Sequence, residues 1–269
     1  MELGIAGRRA LVAGSSSGIG AAIAVALARE GVEVIVHGRS AAAAEQVKRE
    51  IEAGGGKATV VLAALDDPAA VDRLAREALA GGPIDILVNC AGAAATVFSW
   101  FDSPEDAWQQ QFQLSTFYAV QLIRAVVPQM CDRGWGRVLN VSSAAAYGAM
   151  PLHPEYAAAK LALHSMTATL AAAVGARGVR VNTLVSGGVA TPNTLENIAE
   201  NGRLAGFAET GDALEKRVIA EIWKATIPVG RLARPEELAG AACFLVSEWA
   251  SYITGAALRV DGGSTNSAG

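Results

Sequence analysis

The amino-acid sequence predicts an α/β fold in which a doubly wound parallel sheet of about seven strands carries helices on both faces. Two observations support this prediction. Short apolar runs alternate with longer amphipathic segments along the whole chain. Several of the short runs, such as 138–141, are nearly continuous in apolar residues, which is typical of strands covered on both faces. Repeated alternation of strands and helices also implies right-handed crossovers between parallel strands.

The individual elements follow from this alternation. The predicted strands span residues 9–12, 33–36, 58–62, 84–88, 136–141, 179–185 and 257–260. The segments with helical periodicity span residues 19–30, 42–53, 68–79, 104–132, 154–174 and 235–247. Pro104 and Pro235 stand in the first turn of their helices, and each is followed by two acidic residues. Proline suits the first turn because the N–H groups there have no partner within the helix. Acidic side chains suit it because it lies at the positive end of the helix dipole.

The domain organisation is predicted to be simple. No linker, internal repeat or low-complexity region divides residues 1–269, so we expect a single domain. Residues 192–227 form a long connection for a compact domain. They contain two segments with helical character, 195–204 and 213–223. We expect this insertion to be a lid over the substrate, and an insertion that contacts another subunit is the alternative.

Composition excludes several classes of function. The net charge is −4 and no basic cluster is present, so neither nucleic acid nor an anionic membrane is expected as a partner. The three cysteines are isolated, which predicts neither a metal site nor a disulfide framework. No targeting segment is recognisable at the start, and no uninterrupted apolar run reaches the roughly 18 residues that span a bilayer. We therefore expect a cytoplasmic protein.

A glycine-rich loop follows the first predicted strand and opens the first helix. It reads Gly14-Ser-Ser-Ser-Gly18-Ile-Gly20, a GxxxGxG spacing. Glycines at this point allow a tight turn and a close approach to a pyrophosphate, whose charge then faces a helix N-terminus. Such turns also occur at ordinary strand–helix junctions. In the first βαβ unit the loop predicts a dinucleotide site formed by Gly14, Ser16, Ser17, Gly18, Ile19 and Gly20.

The residues after the second strand indicate which dinucleotide is bound. An acidic residue there accepts hydrogen bonds from a ribose 2′-hydroxyl and repels a 2′-phosphate. This chain has no acid at that point and instead carries Arg39, followed by Ser40. An arginine suits a phosphate, although a solvated loop arginine is the plainer interpretation. The sequence favours NADP(H) over NAD(H).

Three residues are candidates for acid–base chemistry. Tyr156 and Lys160 are four residues apart in the helix predicted over 154–174, so their side chains share a face. Ser143 follows the fifth strand, at the carboxyl edge where open α/β sheets bind ligands. A free tyrosine is a poor base at neutral pH, because its ordinary pKa is about 10, and a neighbouring ammonium favours the phenolate.

These motifs, in this order, resemble those of the short-chain dehydrogenase/reductase family, and within it the 3-oxoacyl-acyl-carrier-protein reductases. The resemblance runs nearly end to end. It rests on the glycine loop, Asn89-Cys-Ala-Gly92, Ser143, Tyr156-Ala-Ala-Ala-Lys160, Tyr252-Ile-Thr-Gly255 and Val260-Asp-Gly-Gly263. It implies a Rossmann-type domain and an oxidoreductase that interconverts a ketone and a secondary alcohol.

The resemblance also implies roles for individual residues. Tyr156 is expected to be the general acid and base, Lys160 to support the tyrosinate and hold the nicotinamide ribose, and Ser143 to bind the substrate oxygen. Further cofactor contacts are implied at Leu65, Asn89, Ala91, Gly92, Gly187, Val189 and Thr191. Pairing of the helices at 104–132 and 154–174 between subunits implies a homotetramer, or at least a dimer.

The chain departs from the family pattern at three positions. Ser115 stands where the family usually has an asparagine that holds a water in a proton relay, so Ser115 is the corresponding catalytic candidate. Ala64 replaces an acid that meets the adenine, and Ser186 replaces a proline. The Ser115 change motivates one alternative function, a regulatory or scaffold protein that binds nucleotide with little or no catalysis. A lyase or epimerase that retains its nucleotide is a second alternative.

The substrate is the least determined part of the prediction. A small-molecule ketone or alcohol is expected, and a 3-oxoacyl thioester, a steroid-like ketone and a sugar-derived ketone all remain open. His153 is a candidate for the substrate border, although a loop histidine without a chemical role is the plainer interpretation, and His37 is a candidate for contact with adenine. Phe98, Trp100 and Trp223 are possible pocket residues, although core packing explains such aromatic side chains equally well.

Overall fold

The computed structural model describes residues 2–92, 99–148 and 152–265. Phe98 therefore lies outside the described residues. The described strands form one seven-stranded parallel sheet in the order β3-β2-β1-β4-β5-β6-β7. The strands are β1 Arg9–Ala13, β2 Glu33–Gly38, β3 Lys57–Leu62, β4 Ile86–Asn89, β5 Gly136–Ser143, β6 Val179–Ser186 and β7 Ala257–Val260. The prediction of a doubly wound parallel sheet is confirmed.

Helices cover the sheet on both faces. They are α1 Gly18–Arg29, α2 Ala41–Ala53, α3 Pro68–Ala80, α4 Glu105–Phe112, α5 Tyr118–Asp132, α6 Pro154–Val174, α7 Pro192–Leu204, α8 Gly211–Glu221 and α9 Pro235–Val246. One apolar core lies between the sheet and α1, α2 and α9. A second core lies between the opposite face and α3, α5 and α6. Both faces of the central sheet are therefore buried, as its uninterrupted apolar strands predict.

The strands alternate their side chains between these two cores. In β1, Ala10 and Val12 enter the first core, whereas Leu11 and Ala13 enter the second. In β4 the same alternation places Val88 in the first core and Leu87 in the second. Since successive strand residues point to opposite faces, every side chain of a central strand must be apolar or have a hydrogen-bond partner.

The helix predicted over 104–132 differs from the observed one. A π-helical turn, Gln113–Phe117, separates α4 from α5. Two side chains of this turn bond outside it: the Gln113 amide donates to the Leu65 carbonyl oxygen at 2.9 Å, and the Thr116 hydroxyl donates to that of Ala159 at 2.8 Å. A π turn inserts an extra residue into the helix, and such turns are frequent at functional sites. Helical periodicity alone does not reveal it.

The long connection contains α7 and α8, close to the two predicted helical segments. These helices share a small apolar cluster of their own, formed by Ile198, Val218, Ile219 and Leu232. The Glu215 carboxylate also accepts a hydrogen bond from the Leu232 N–H at 2.8 Å. The insertion is therefore an ordered helical unit that packs on itself.

Helix α6 is apolar over most of its length. The segment 154–177 meets the length and composition of a membrane-spanning helix. It nevertheless carries Glu155 and Lys160 as buried residues and packs Leu163 and Ala171 into the second core. In this fold its apolar character is that of a helix packed against a sheet.

Candidate active site

The candidate site lies where the order of the sheet reverses, between β1 and β4. Ala13 pairs with Asn89 at the carboxyl ends of these strands, and the Cys90 N–H donates to the Ala13 carbonyl oxygen at 3.0 Å. The glycine loop and the segment that follows β4 therefore leave the sheet side by side. Open α/β sheets bind their ligands in such a crevice, because the neighbouring loops diverge there.

The glycine loop has a shape that side chains would obstruct. Gly14 has φ +82°, and a Cβ at this position would lie 2.7 Å from the Ala91 Cα. A Cβ on Gly20 would collide with the Gly14 carbonyl oxygen. Gly18 has φ +56° and faces the Thr191 methyl group, 3.2 Å from where its Cβ would lie. The loop is thereby held against the segments that follow β4 and β6.

This loop also fits an anionic group. Ser17 is the N-cap of α1 but makes no side-chain capping bond, and the first turn contains no acidic residue. The free N–H groups of such a helix start attract negative charge. The predicted residues Gly14, Ser16, Ser17, Gly18, Ile19 and Gly20 lie in this loop or at this helix start. The residues present therefore fit the diphosphate of a dinucleotide.

The end of β2 approaches the same loop. A Cβ on Gly38 would collide with the Ser16 hydroxyl, so Gly38 allows the two segments to touch. Arg39 and Ser40 follow as exposed residues. Ser40 is the N-cap of α2, where its hydroxyl accepts from the Ala43 N–H at 3.4 Å. The Arg39 side chain is thus exposed beside the loop.

His37 occupies a different place from the one predicted. Its ring is 1% exposed, and it bonds to Gly14 and Ala63. The prediction that the His37 ring contacts adenine is therefore wrong. Leu65 follows β3 with a buried side chain, and its carbonyl oxygen accepts from Gln113. In the segment after β3, a ligand can therefore reach only exposed atoms and backbone groups other than the Leu65 carbonyl oxygen.

The three acid–base candidates converge on β5 and the start of α6. Ser143 ends β5, and its hydroxyl accepts from the Ala145 N–H at 3.2 Å. The Lys160 Nζ lies 5.9 Å from the centroid of the Tyr156 ring and donates to the Val141 carbonyl oxygen at 3.1 Å. The Ser142 hydroxyl fastens the helix to the strand by donating to the Lys160 carbonyl oxygen at 3.0 Å. A hydroxyl, a phenol and an ammonium are thus brought together.

The segment after β4 completes this arrangement. A Cβ on Gly92 would lie 3.2 Å from the Lys160 Nζ, so the glycine makes room for the ammonium. Asn89 ends β4, and its amide donates to Oδ1 of Asn140, its paired residue in β5, at 2.8 Å. The Asn140 amide donates in turn to the Thr167 hydroxyl at 2.9 Å. This polar relay joins β4, β5 and α6 beneath the candidate site.

Ser115 lies in the π turn. It is fully buried, and its hydroxyl has no hydrogen-bond partner. The neighbouring Thr116 bonds to Ala159, which directly precedes Lys160. The turn that carries Ser115 is therefore attached to the helix that carries the lysine. A buried hydroxyl without a partner is uncommon and is typical of a position that takes a water or ligand.

The loop after β6 brings the last predicted residues to the site. A Cβ on Gly187 would lie 2.6 Å from the Asp261 Cα, and the Gly187 N–H donates to the Val260 carbonyl oxygen at 3.1 Å. Val189 is buried and pairs with Ala233. Thr191 is the N-cap of α7, and its methyl group lies against Gly18, 3.2 Å from where a Cβ on that glycine would be. This loop thus runs from the sheet edge to the glycine loop and continues into α7.

Sequence reasoning overlooked Glu155, the residue before Tyr156. Glu155 is fully buried. Its Oε2 accepts from the Ser103 hydroxyl at 3.1 Å, whereas its Oε1 has no partner. A glutamate in the first turn of a helix is normally exposed and interacts with the dipole, so no sequence signal distinguished this one. The carboxylate ties the start of α6 to the segment before α4.

His153 precedes α6 in the left-handed conformation, with φ 62°. Leu152 forms an antiparallel bridge with Ser99, so the turn is tied to the chain after β4. Trp100 is 63% exposed and packs its ring 5.4 Å from that of Trp108. Trp223 lies just beyond α8 and is partly exposed. His153 and Trp100 therefore each follow a residue of the bridge that lies just before α6, whereas Trp223 belongs to the long connection.

Cys90 and Cys243 do not supply a nucleophile. Burial raises the pKa of the Cys90 thiol to about 12, although the Lys160 charge acts in the opposite direction. Burial likewise raises the pKa of Cys243 to about 12. Both thiols therefore stay protonated at neutral pH, where a thiol is a weak nucleophile. Over residues 2–92, 99–148 and 152–265, no group of three or more histidine, cysteine or acidic residues could hold a metal ion.

Comparison with known proteins agrees with this geometry. Residues 13–265 match a family model described as enoyl-(acyl carrier protein) reductase. The chain is 36% identical to the galactitol 2-dehydrogenase (L-tagatose-forming) of Cereibacter sphaeroides over 263 residues, which cover 96% of this chain and 95% of the relative. It is 38% identical to the D-threitol dehydrogenase of Mycolicibacterium smegmatis over 265 residues, or 96% of this chain and 93% of the relative.

A solved structure shows the same likeness in three dimensions. The L-sorbose reductase of Gluconobacter frateurii, complexed with NADPH and L-sorbose, superposes with a TM-score of 0.91 at 32% identity, covering 99% of this chain and all of that one. The chain belongs to the short-chain dehydrogenase/reductase family. It is an oxidoreductase of the class that acts on CH–OH groups.

Proposed function

We propose that this protein is an NADP(H)-dependent oxidoreductase that interconverts a ketone and a secondary alcohol, with a neutral polyol and its ketose as the substrate class. The convergence of Ser143, Tyr156 and Lys160 beside the glycine loop carries this proposal. The polyol and ketose class is supported by the relatives, whose names include galactitol, D-threitol and L-sorbose. A 3-oxoacyl thioester is the competing substrate class.

Several loops would hold the nucleotide. The glycine loop and the start of α1 would take the diphosphate, and Arg39 with Ser40 the 2′-phosphate. Leu65, Asn89, Ala91 and Gly92 would border the adenosine and ribose, and Gly187, Val189 and Thr191 the nicotinamide amide. When bound, the nicotinamide ring exchanges a hydride with the substrate carbon.

The residues of the chain provide the proton chemistry. During reduction, the Tyr156 hydroxyl donates its proton to the substrate oxygen, and during oxidation the tyrosinate accepts it. The Lys160 ammonium stabilises that tyrosinate by its charge. The Ser143 hydroxyl donates a hydrogen bond to the same oxygen, where negative charge develops during hydride transfer. Ser115 would hold a water that links Lys160 to solvent.

The choice of NADP(H) over NAD(H) rests on the end of β2. Arg39 is exposed there, and no acidic residue follows β2 before α2 begins at Ala41. A guanidinium forms charge-assisted hydrogen bonds with a phosphate, whereas the carboxylate that typically accepts from a ribose 2′-hydroxyl is absent from this segment.

We also propose a cytoplasmic homotetramer in which α5 and α6 pair between subunits. Val120, Ile123, Met166, Thr169 and Leu170 line an open groove between these two helices, with little polar surface. A second subunit would remove this apolar surface from water. In the same assembly, α7 and α8 would serve as a lid over the substrate.

A nucleotide-binding regulatory or scaffold role is the second candidate, because Ser115 replaces the family asparagine. Titration of the purified protein with NADPH and NADH, followed by absorbance at 340 nm with L-sorbose, L-tagatose and an acetoacetyl thioester, separates the candidates. NADPH oxidation that depends on a ketose supports the proposal. Oxidation with the thioester alone would replace the substrate class, and binding without turnover would support the regulatory role.

A further inference from the structure

One buried histidine contacts two of the loops proposed to hold the nucleotide and lies in the strand that leads into a third. His37 lies near the end of β2, and its ring is 1% exposed. Its Nδ1 accepts a hydrogen bond from the Gly14 N–H at 3.0 Å, and its Nε2 donates to the Ala63 carbonyl oxygen at 3.2 Å. Gly14 begins the glycine loop, and Ala63 begins the segment after β3.

The backbone around His37 reinforces these bonds. The His37 N–H donates to the Ser15 hydroxyl at 2.9 Å, and the Ser15 N–H donates to the His37 carbonyl oxygen at 2.8 Å. The Ser15 hydroxyl donates to the Val12 carbonyl oxygen at 2.7 Å, within β1. All four polar groups of His37 are therefore bonded, and they join the end of β1 to the ends of β2 and β3.

These contacts require one form of the ring. Nδ1 must accept and Nε2 must carry the hydrogen, which is a neutral tautomer, because both partners are backbone groups with fixed roles. Burial lowers the pKa of His37 to about 4, so the ring remains neutral near neutral pH. A phenyl ring would fill the same space but leave a buried N–H and a buried carbonyl oxygen unpaired, which is costly.

We propose that His37 is a positioning residue for the nucleotide, which sets the position of the glycine loop relative to the segment after β3 without touching the cofactor. This inference rests on the proposed function, because it concerns the same nucleotide site. His37 acts through the Gly14 N–H and the Ala63 carbonyl oxygen. The residues that move the proton lie on β5 and α6, so a disturbed His37 changes nucleotide affinity and leaves chemistry at saturating nucleotide intact.

Three substitutions separate the two ring contacts. In His37→Asn, the amide oxygen takes the place of Nδ1 and keeps the acceptor for Gly14. In His37→Gln, the amide nitrogen takes the place of Nε2 and keeps the donor for Ala63. His37→Phe removes both. Each variant is titrated with NADPH by tryptophan fluorescence, and its turnover is then measured at saturating NADPH.

The proposal predicts that the Kd for NADPH rises only about twofold to threefold in His37→Asn, because this variant keeps the bond to the glycine loop and loses only the bond to Ala63. The Kd rises by about tenfold in His37→Gln and further in His37→Phe, as expected for the loss of one and then two buried hydrogen bonds. Turnover at saturating NADPH remains within about threefold of wild type, since a residue that acts on binding alone leaves kcat unchanged. The comparison of His37→Asn with His37→Gln still decides the matter if His37→Phe does not fold.

Equal NADPH affinity in wild type, His37→Asn and His37→Gln would overturn the proposal. A loss that appears in turnover with unchanged affinity would overturn it as well. Failure of the wild-type protein to bind NADPH or NADH would instead overturn the proposed function, together with the inference that depends on it. The two failures are therefore distinguishable in one titration series.

Discussion

The two halves of the carboxyl edge of the sheet treat their buried polar groups differently. On the nucleotide half, around β1, β2 and β3, the buried side chains of Ser15 and His37 have all their polar atoms bonded. Toward the substrate half, around β4, α4, α5 and α6, Asn89 Oδ1, Ser115 Oγ and Glu155 Oε1 are buried without a partner. Both halves are part of one described sheet with continuous cores.

This difference indicates how each half meets its ligand. Bonded polar groups hold the glycine loop in one shape, so the nucleotide half is already organised for binding and loses little entropy there. Unpaired buried groups have a desolvation cost that a water or a substrate hydroxyl can remove. The substrate half is therefore the part whose polar groups are completed by binding.

The largest effect is expected from Tyr156→Phe. The change removes one hydroxyl on the substrate half and keeps the ring beside Lys160, so turnover should fall by about a thousandfold, in the range of general acid catalysis. The affinity for NADPH should remain within about twofold of wild type, because the glycine loop is unchanged. Stopped-flow absorbance and fluorescence titration measure the two quantities, and retained turnover would refute the acid–base role.

The next effect concerns stability on the nucleotide half. The pKa of His37 falls from 6.5 to about 4 on folding, so the unfolded chain binds the proton more tightly. The neutral His37 ring therefore contributes at most about 3 kcal/mol to the free energy of unfolding. This contribution is complete above pH 6.5 and is lost as the pH falls toward 4. Urea unfolding of wild type and His37→Asn from pH 7 to pH 4.5 should show the difference between them narrowing. A constant difference would mean that His37 is not buried as a neutral ring.

Arg39→Ala should act on the nucleotide half alone. Loss of the guanidinium should raise the Km for NADPH by about tenfold to a hundredfold, the value of one or two charge-assisted hydrogen bonds to a phosphate. The Km for NADH should change little, because NADH has no 2′-phosphate. Steady-state assays with both cofactors make the comparison. Equal losses for the two would contradict the assignment of Arg39.

The smallest effect is expected at Ser115. Ser115→Ala removes the unpaired hydroxyl and should lower kcat by about threefold to tenfold, as for a bridging water held less well. Ser115→Asn supplies the residue typical of the family and should keep kcat near wild type. Neither variant should change the Kd for NADPH. Identical kcat values in all three proteins would show that this hydroxyl has no part in proton transfer.

Much of the fold could be predicted because it depends on local patterns. Periodicity located the strands and most of the helices, and proline with acidic residues marked the starts of α4 and α9 to within a residue or so. The glycine loop was recognisable for the same reason, since its conformation depends on the absence of side chains at fixed spacings. Tyr156 and Lys160 share a face of α6 through helical geometry alone.

The remaining features depend on contacts between distant parts of the chain. The ring of His37 meets Gly14 and Ala63, which are 23 and 26 residues away in sequence, and only the register of β1, β2 and β3 brings them together. The π turn is fixed by Leu65 and Ala159, and the burial of Glu155 by Ser103.

The sequence by itself determined the alternation of elements, the parallel sheet and the chemical groups at the candidate site, because periodicity and residue type are local properties. The tertiary structure decided which buried polar atoms found partners. Such partners come from strands and helices far apart in the chain, and their meeting depends on packing that no local pattern records.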